Sequence, residues 1–217
     1  NGKVVIVTGG TQGLGEGIAL HLAEVGTSGL VICGRGQERG QRVVEALNEA
    51  GCPSSYVVAD LSMEEDCRRV VQVCDERFGR VNGLVNAAGI TTRGALEDTT
   101  VALWDKMLDV NTRAPFILMQ EAVRVMKREN IHGSIVNILS EYSYCGSAFS
   151  MAYSTSKGAL AILTKNVAHG LRFDRIRVNG INIGWTDTVG EHTLQITTGQ
   201  PDNWLELAES KQPFQRL

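Results

Sequence analysis

Short apolar stretches alternate along the chain with longer segments in which apolar residues recur every third or fourth position. Short runs rich in Val and Ile are typical of strands buried on both faces. Such runs predict strands at 3–8, 29–33, 55–60, 83–89, 133–140 and 175–182. Helical periodicity predicts helices at 14–25, 37–50, 63–78, 97–129 (with a break near 111–115) and 151–171. The segment 186–217 has the least regular pattern.

The regular alternation of strands and helices predicts the fold class. Short connections between successive units favour a parallel sheet, because a crossover between parallel strands needs an element that covers the sheet. We therefore predict an α/β fold with a doubly wound parallel sheet and helices on both faces. The 217 residues, of which 43% are hydrophobic, are enough for one sizeable core, so a single domain over 1–217 is expected.

Charge and cysteine content argue against several classes of function. The net charge is −3 and basic residues are spread among acidic ones, so neither nucleic acid nor a membrane surface is an expected partner. Without a membrane-spanning run or a signal-peptide layout, a cytoplasmic protein is expected, although the abrupt start leaves a missing leader open. The five cysteines form no CxxC pair and the four histidines lack ligand spacing, so no disulfide framework or metal site is expected.

A glycine-rich segment, "TGGTQGLGEG", joins the first predicted strand to the first predicted helix. Gly9, Gly13 and Gly15 permit tight turns and let a pyrophosphate approach the helix N-terminus, where free N–H groups and the helix dipole favour anions. The spacing is GxxxGxG, whereas the common dinucleotide fingerprint is GxGxxG. The segment predicts a phosphate-binding loop, with a turn that merely packs helix on strand as the alternative.

The end of the second predicted strand bears on the choice of nucleotide. Dinucleotide-binding folds place an acid there for NAD or an arginine nearby for NADP. Here Gly34 stands at the position of the acid, and Arg35 follows it. The guanidinium would form a charge-assisted contact with a 2′-phosphate, so NADP(H) is the predicted cofactor. NAD(H) remains an alternative, as does a solvated arginine without a ligand.

The stretch "YSTSK" places the phenol of Tyr153 and the ammonium of Lys157 one helical turn apart. A tyrosine alone is a poor acid or base near neutrality, because its pKa is about 10. A lysine on the same face would lower that pKa and suit the phenol to proton transfer. Ser140, at the end of its predicted strand, could orient a carbonyl beside the phenol. An ordinary helix surface with a serine cap is the alternative.

Several short motifs occur in one order along the chain. They are "TGGTQGLG" at 8–15, "ADL" at 59–61, "NAAG" at 86–89, "VN" at 110–111, Ser140 and "YSTSK" at 153–157. With these motifs the chain resembles the main branch of the short-chain dehydrogenase/reductase family over essentially its whole length. The resemblance implies a Rossmann fold and an NAD(P)-dependent oxidoreductase that interconverts a ketone or aldehyde and an alcohol.

The resemblance also implies a role for each matching residue. Tyr153 would exchange a proton with the substrate oxygen, which Ser140 would hold. Lys157 would lower the pKa of Tyr153 and bind the nicotinamide ribose. Asn111 would bend its helix and help to position a water that relays protons to Lys157. The other implied cofactor-binding residues are Gly9, Thr11, Gln12, Gly13, Leu14, Gly15, Arg35, Asp60, Leu61, Asn86, Ala87, Ala88, Gly89, Ile183, Gly184, Thr186 and Thr188.

Two features depart from the family pattern. Ile183 precedes Gly184 where the family usually has proline, and because Ile lacks the fixed φ of proline, a different setting of the nicotinamide loop is expected. The chain also stops at "QPFQRL", before the last helix and strand of the family. The expectation is a longer natural protein, with an exposed sheet edge in this chain.

The substrate is the least determined part of the prediction. Substrate contacts are expected from Ser140, Tyr153, Glu141 and Trp185. Glu141 could accept hydrogen bonds from a hydroxylated substrate such as a sugar or polyol, or face solvent. The resemblance further implies a homo-oligomer, a tetramer or dimer, built through 97–129 and 151–171. The open alternatives are an NAD(H)-preferring sugar or polyol dehydrogenase of the same fold and a nucleotide-sensing protein without turnover.

Overall fold

The computed structural model describes residues 2–217, which contain one six-stranded sheet. Its strands are Val4–Thr8 (β1), Gly29–Gly34 (β2), Ser54–Val58 (β3), Gly83–Asn86 (β4), Ser134–Ser140 (β5) and Arg177–Ile183 (β6). All neighbours pair in parallel, in the order β3-β2-β1-β4-β5-β6. The six predicted strands and the doubly wound parallel arrangement are confirmed.

Helices cover both faces of this sheet. They are Gly13–Glu24 (α1), Gln37–Glu49 (α2), Glu64–Phe78 (α3), Val101–Leu108 (α4), Ala114–Arg128 (α5), Met151–Gly170 (α6), Val189–Thr197 (α7) and Trp204–Glu209 (α8). A π-helical turn, Asp109–Arg113, separates α4 from α5 at the predicted break. The predicted helices are confirmed with small shifts at their ends. Within residues 2–217, no helix has the length and apolar character needed to cross a membrane.

Successive side chains of β1 point to opposite faces and so contribute to two cores. Ile6 is fully buried in a cluster with Leu118 of α5 on one face. Val7 is fully buried in a second cluster with Leu47 of α2 on the other. Because helices cover both faces, every residue of β1 is buried. The strand therefore lacks the alternation of apolar and polar residues that a half-buried strand shows. It appears in the sequence as a nearly continuous apolar run.

The chain winds in opposite directions on the two sides of β1. The strands β2 and β3 lie on one side of β1, whereas β4, β5 and β6 lie on the other. In an open α/β sheet, connections that diverge in this way leave a crevice outside the carboxyl ends of the strands. The residues that follow β1, β4, β5 and β6 are therefore gathered at one edge of the sheet.

Two helices lie in the segment 186–217 that the pattern showed as least regular. The hydroxyl of Thr188 caps α7 by accepting a hydrogen bond of 3.1 Å from the backbone N–H of Glu191. Trp204, the first residue of α8, is buried and its ring stacks on Trp185 at 6.0 Å between centroids. Short helices carry too few apolar positions for a clear period, so tertiary contacts stabilise them instead.

The strand β6 forms one edge of the sheet and pairs only with β5 among the described residues. Most of its residues are exposed to solvent, including Ile181. The exposed sheet edge expected from the sequence is therefore present.

Candidate active site

A cavity of about 670 Å³ opens at the carboxyl ends of the strands. Nearly all of the residues predicted to bind cofactor or substrate line it. They are Gly9, Thr11, Gln12, Gly13, Leu14, Gly15, Arg35, Asp60, Leu61, Ala87, Ala88, Gly89, Ser140, Glu141, Tyr153, Lys157, Ile183, Gly184, Trp185, Thr186 and Thr188. The predicted residues outside this lining are Asn86 and Asn111, both of which are buried.

The loop after β1 can approach a ligand closely because Gly9 and Gly10, and Gly13 where α1 begins, have no side chain. Gly9 has a φ of +67°, and a Cβ there would lie 2.8 Å from the Cα of Ala88. A Cβ on Gly15 would overlap the carbonyl oxygen of Gly9. Helix α1 begins at Gly13, and its N-cap, Gln12, makes no side-chain cap hydrogen bond. The first N–H groups of α1 can thus bind an anion, and the loop fits the pyrophosphate of a dinucleotide.

Two arginines lie beyond the end of β2, where the dinucleotide-binding fold places the adenosine ribose. Arg35 follows β2 directly, Arg39 lies in the first turn of α2, and both line the cavity. The guanidinium of Arg39 donates a hydrogen bond of 2.6 Å to Oε1 of Gln12. At Gly34, a Cβ would lie 2.8 Å from the hydroxyl oxygen of Thr11, so the structure leaves little room for a carboxylate side chain there. Arg39 was not predicted, although it stands only four residues after Arg35 in the sequence.

Asn86 does not line the cavity, and its predicted role on the ribose side of the cofactor stays a prediction. It ends β4 in the interior of the sheet, where its Nδ2 donates a hydrogen bond of 2.8 Å to Oδ1 of Asn137 in β5. The amide on the adjacent strand provides a partner for Nδ2, whereas Oδ1 of Asn86 is buried without a hydrogen-bond partner within residues 2–217. Asn86 therefore ties β4 to β5, whereas Ala87 and Ala88, which follow it, face the cavity.

Asp60 and Leu61 line the cavity on the side predicted for the adenine. The Oδ1 of Asp60 accepts hydrogen bonds of 2.9 Å and 2.8 Å from the backbone N–H and the hydroxyl of Ser62. The ammonium of Lys106 lies 3.2 Å from Oδ2. The backbone hydrogen bond from Ser62 is the main reason why the pKa of Asp60 lies below its usual value. These contacts fix the carboxylate of Asp60 in its charged form in the cavity wall.

Ser140, Tyr153 and Lys157 come together at the carboxyl end of β5. Ser140 is the last residue of β5, and α6 carries Tyr153 and Lys157 one turn apart. The hydroxyl of Ser140 accepts a hydrogen bond of 3.2 Å from the backbone N–H of Tyr142. The Nζ of Lys157 donates a hydrogen bond of 2.7 Å to the carbonyl oxygen of Ile138 and lies 5.8 Å from the centroid of the Tyr153 ring. A phenol, a hydroxyl and an ammonium group thus share one cavity.

The pKa of Tyr153 is raised, which is opposite to the direction predicted from Lys157. Burial is the largest cause, because it removes solvent from the phenolate, whereas a hydrogen bond with Ser140 acts to lower the pKa. The charges of Glu191 and Glu141 add to the rise. Burial also lowers the pKa of Lys157 to about 8. The cavity therefore favours the neutral phenol, which is the form that can donate a proton.

The burial of Lys157 predicts an effect on stability. The shift of its pKa from 10.5 to about 8 costs the folded state roughly 3 kcal/mol at neutral pH. This cost decreases as the pH rises through about 8 and disappears above 10.5, where the lysine is neutral in both states. Lys157→Met removes the charge but also the hydrogen bond to Ile138. We therefore expect the free energy of unfolding at neutral pH to rise by about 1–2 kcal/mol.

Urea denaturation at about pH 7 and about pH 10 measures this effect, and the gain should shrink at the higher pH. Lys165→Met, at an exposed position of the same helix, serves as the control and should change stability by less than about 0.5 kcal/mol. A Lys157→Met protein that is no more stable than the wild type at neutral pH would contradict the prediction.

Asn111 lies in the π-helical turn between α4 and α5, so the predicted bend of the helix is present. Its Nδ2 donates a hydrogen bond of 3.0 Å to the carbonyl oxygen of Ile90, and its Oδ1 accepts one of 2.9 Å from the N–H of Ile90. Its Nδ2 also lies 3.0 Å from the hydroxyl oxygen of Ser156. The side chain thus ties the loop after β4 to α6. A water relay from Asn111 to Lys157 stays a prediction.

The segment after β6 forms another wall of the cavity. Ile183 ends β6 in register with Ser140, so β6 continues as a strand up to the position where the family usually has proline. The hydroxyl of Thr186 donates a hydrogen bond of 3.2 Å to the carbonyl oxygen of Gly184. Thr188, as described above, caps α7. These contacts fix the loop through its own backbone, without the fixed φ of a proline.

Helix α7 and the loop after β4 add charged and polar side chains that the sequence pattern did not predict. Glu191 of α7 accepts a hydrogen bond of 2.7 Å from the indole N–H of Trp185 and another from the amide of Gln195. The guanidinium of Arg93 lies 3.6 Å from the same carboxylate. All four residues line the cavity. Trp185 was predicted, but no local motif marks Glu191, Gln195 or Arg93, and α7 falls in the segment with the weakest pattern.

Comparisons with known sequences identify the family. The profile of the short chain dehydrogenase family matches residues 3–198. An oxidoreductase from Thermotoga maritima is 34% identical over 216 residues, which cover 100% of this chain and 84% of that protein. An NADP-dependent (R)-specific alcohol dehydrogenase from Lentilactobacillus kefiri is 34% identical over 189 residues, which cover 86% of this chain and 74% of that protein.

A solved structure shares the fold. A variant of actinorhodin polyketide ketoreductase, determined with NADPH, superimposes with a TM-score of 0.92 and 26% identity over 99% of this chain and 84% of its own. The parallel sheet, the cavity at its carboxyl edge and the sequence profile all agree. The chain therefore belongs to the short-chain dehydrogenase/reductase family, whose members are oxidoreductases that act on alcohol and carbonyl groups with a nicotinamide dinucleotide.

Proposed function

We propose that this protein is an NADP(H)-dependent oxidoreductase that interconverts a ketone or aldehyde and an alcohol. The observation that carries the proposal is the convergence of Tyr153, Ser140 and Lys157 in the cavity that the glycine loop and Arg35 also line. A protein that only sensed a nucleotide would have no need of a phenol beside a buried lysine.

The side chains of the cavity suit a carbonyl reduction. The hydroxyl of Ser140 accepts from the backbone N–H of Tyr142, and its own hydrogen, which is shared with Tyr153, can turn to the substrate oxygen when a substrate binds. Tyr153 then donates its phenolic proton to that oxygen. The nicotinamide, when bound, supplies the hydride for reduction and accepts it in the reverse direction. Lys157, held by the carbonyl oxygen of Ile138, is placed to stabilise the phenolate that remains.

The preference for NADP(H) rests on charge at the end of β2. Arg35 and Arg39 both line the cavity there, and a phosphate binds guanidinium groups through charge-assisted hydrogen bonds. The crowding of Gly34 by Thr11 opposes the acid that an NAD ribose would need. The relative from Lentilactobacillus kefiri is named as NADP-dependent, and the similar ketoreductase structure contains NADPH, which supports the same assignment.

Calorimetric titration with NADPH and, separately, NADH tests this proposal. We expect NADPH to bind at least about tenfold more tightly, because its additional phosphate gains contacts with the two arginines. Tighter binding of NADH would contradict the assignment to NADP(H). Binding of neither nucleotide would contradict the dinucleotide site itself.

We also propose that the protein is a homo-oligomer, a dimer or tetramer, assembled through the helices of 97–129 and 151–171. Phe116 of α5 and Ile162 of α6 are 45% and 55% exposed, although both are apolar. Apolar side chains on outward helix faces favour association, because contact with a second copy removes them from water. Size-exclusion chromatography with light scattering should show a dimer or tetramer, and a monomer at micromolar concentration would contradict this part of the proposal.

A further inference from the structure

The carboxylate of Glu191 is held on one side only. Its Oε1 accepts hydrogen bonds from the indole N–H of Trp185 at 2.7 Å and from the amide of Gln195, and the guanidinium of Arg93 lies 3.6 Å from it as an ion pair. Its Oε2 has no hydrogen-bond partner within residues 2–217 and is not buried. The side chain is 14% exposed, so its rotamers are restricted. Glu191 therefore presents a fixed acceptor that the protein does not satisfy.

This acceptor lies in the same cavity as the reacting groups. Glu191 and Tyr153 line the same cavity, and the negative charge of Glu191 contributes to the raised pKa of Tyr153. Oε2 and the phenol of Tyr153 thus belong to one cavity, in which a hydroxyl group of the substrate can be placed against Oε2 while the carbonyl oxygen contacts Tyr153.

A second carboxylate, that of the exposed residue Glu141, lies on another wall of the cavity. Glu141 follows Ser140 directly, and its carboxylate has no hydrogen-bond partner in the described part of the chain. Its charge also contributes to the raised pKa of Tyr153. An ionised carboxylate can accept hydrogen bonds but cannot donate them. The cavity thus presents hydrogen-bond acceptors near the reacting groups, and a substrate with donor groups would match them.

We propose that the substrate carries a hydroxyl group next to its reacting carbonyl, so that it is a hydroxy ketone in the reduction and a vicinal diol in the oxidation, and that Glu191 selects this hydroxyl with help from Glu141. This inference rests on the proposed oxidoreductase function. In reduction, the carbonyl carbon gains a hydride from the reduced nicotinamide and the oxygen gains the proton of Tyr153. The ketone is thereby reduced, the nicotinamide is oxidised, and the adjacent hydroxyl is unchanged.

The charge of Arg93 favours a hydroxyl over an ammonium group as the donor. Its guanidinium lies 3.6 Å from Glu191, so it would repel a cation that approached the same carboxylate. A neutral hydroxyl encounters no such repulsion. A charged acceptor strengthens a hydrogen bond, and a methyl group in its place would leave Oε2 desolvated without a partner. The site therefore discriminates between two ketones of nearly equal size.

Hydroxyacetone and butanone provide a matched pair, because they differ by a hydroxyl in place of a methyl group. The inference predicts that Glu191→Gln lowers the ratio of their kcat/KM values by roughly tenfold to a hundredfold. Because the ratio is compared between the variant and the wild type, the difference in intrinsic reactivity between the two ketones cancels. Glu141→Gln should lower the ratio less and serves as a second, independent variant. Glu206→Gln, an exposed carboxylate on α8, is the control and should leave it unchanged.

Binding without turnover gives a second readout. In the presence of NADP⁺ neither ketone can be reduced, so a tryptophan fluorescence titration measures their dissociation constants. Trp185 is hydrogen-bonded to Glu191 and reports on this part of the cavity. Tighter binding of hydroxyacetone by the wild type, lost in Glu191→Gln, is the expected result. An equal effect of the variant on both ketones, or stronger binding of aminoacetone than of hydroxyacetone, would overturn the inference.

The two proposals fail in different ways. If the wild type reduces neither ketone with NADPH but prefers hydroxyacetone in the fluorescence titration, the oxidoreductase function for small ketones fails while the hydroxyl recognition stands. If both ketones are reduced with a ratio that Glu191→Gln and Glu141→Gln leave unchanged, the oxidoreductase function stands and the hydroxyl recognition is wrong.

Discussion

Replacement of Tyr153 by Phe should reduce turnover by roughly two to four orders of magnitude. The variant keeps the ring, and thus the edge contact with Tyr142 at 6.4 Å between centroids, but it loses the phenolic proton. Without that proton, the substrate oxygen would have to take one from water or from Ser140, whose hydroxyl is a far weaker acid. Nucleotide binding should change by less than about threefold, because the phenol supplies at most one hydrogen bond to it.

Stopped-flow measurement of NADPH oxidation with an excess of ketone gives the turnover, and fluorescence titration gives the nucleotide affinity. Tyr144→Phe is the matched control, because this tyrosine is exposed and does not line the cavity. It should retain the activity of the wild type. A Tyr153→Phe protein with nearly full activity would contradict the role of the phenol as proton donor.

Removal of both Arg35 and Arg39 should weaken the binding of NADPH by about tenfold to a hundredfold. Both side chains line the cavity beyond β2 and both are exposed to solvent, so water screens their attraction for a phosphate and limits the loss. NADH lacks the 2′-phosphate, so its affinity should change by less than about threefold. The preference for NADPH over NADH should therefore largely disappear in Arg35→Ala/Arg39→Ala.

Calorimetry with each nucleotide measures both affinities for the wild type and the variant. Arg42→Ala, an exposed arginine elsewhere on α2 that does not line the cavity, is the control for a general loss of positive charge. It should leave both affinities unchanged. Equal losses for NADPH and NADH in the double variant would argue that the arginines support the fold of the loop and do not bind the phosphate.

The sheet could be predicted because of where its strands lie. Helices cover both faces of β1, so its first four positions are apolar and the run stands out from its surroundings. The glycine loop could be predicted for a related reason, since positions such as Gly9 and Gly15 have no space for a side chain. In both cases a constraint that acts along a short piece of the chain leaves a visible pattern in the sequence.

Features that depend on distant parts of the chain could not be predicted. Glu191 and Arg93 meet across the cavity from α7 and from the loop after β4, and no spacing in the sequence relates them. The motif that contains Asn86 also did not show that its amide bonds to Asn137 on the adjacent strand. The order of residues in a motif does not show whether such a side chain faces the cavity or the interior of the sheet.

The direction of the Tyr153 pKa shift illustrates the same limit. The spacing of Tyr153 and Lys157 predicted a lowered pKa for Tyr153, because a nearby ammonium group attracts the phenolate. That prediction took account of these two groups only. The fold adds burial of the phenol, which raises its pKa, and burial of the lysine, which lowers its own pKa to about 8. Desolvation depends on the whole surrounding structure and therefore is not visible in a five-residue motif.

The most direct test of the proposed function is the oxidation of NADPH by the purified protein in the presence of hydroxyacetone, followed by the loss of nicotinamide absorbance. We predict that NADPH is consumed in equal amount to the diol formed, and that no consumption occurs without the ketone. A protein that binds NADPH tightly but leaves it unoxidised across hydroxyacetone, butanone and larger ketones and aldehydes would contradict the central claim that this cavity catalyses carbonyl reduction.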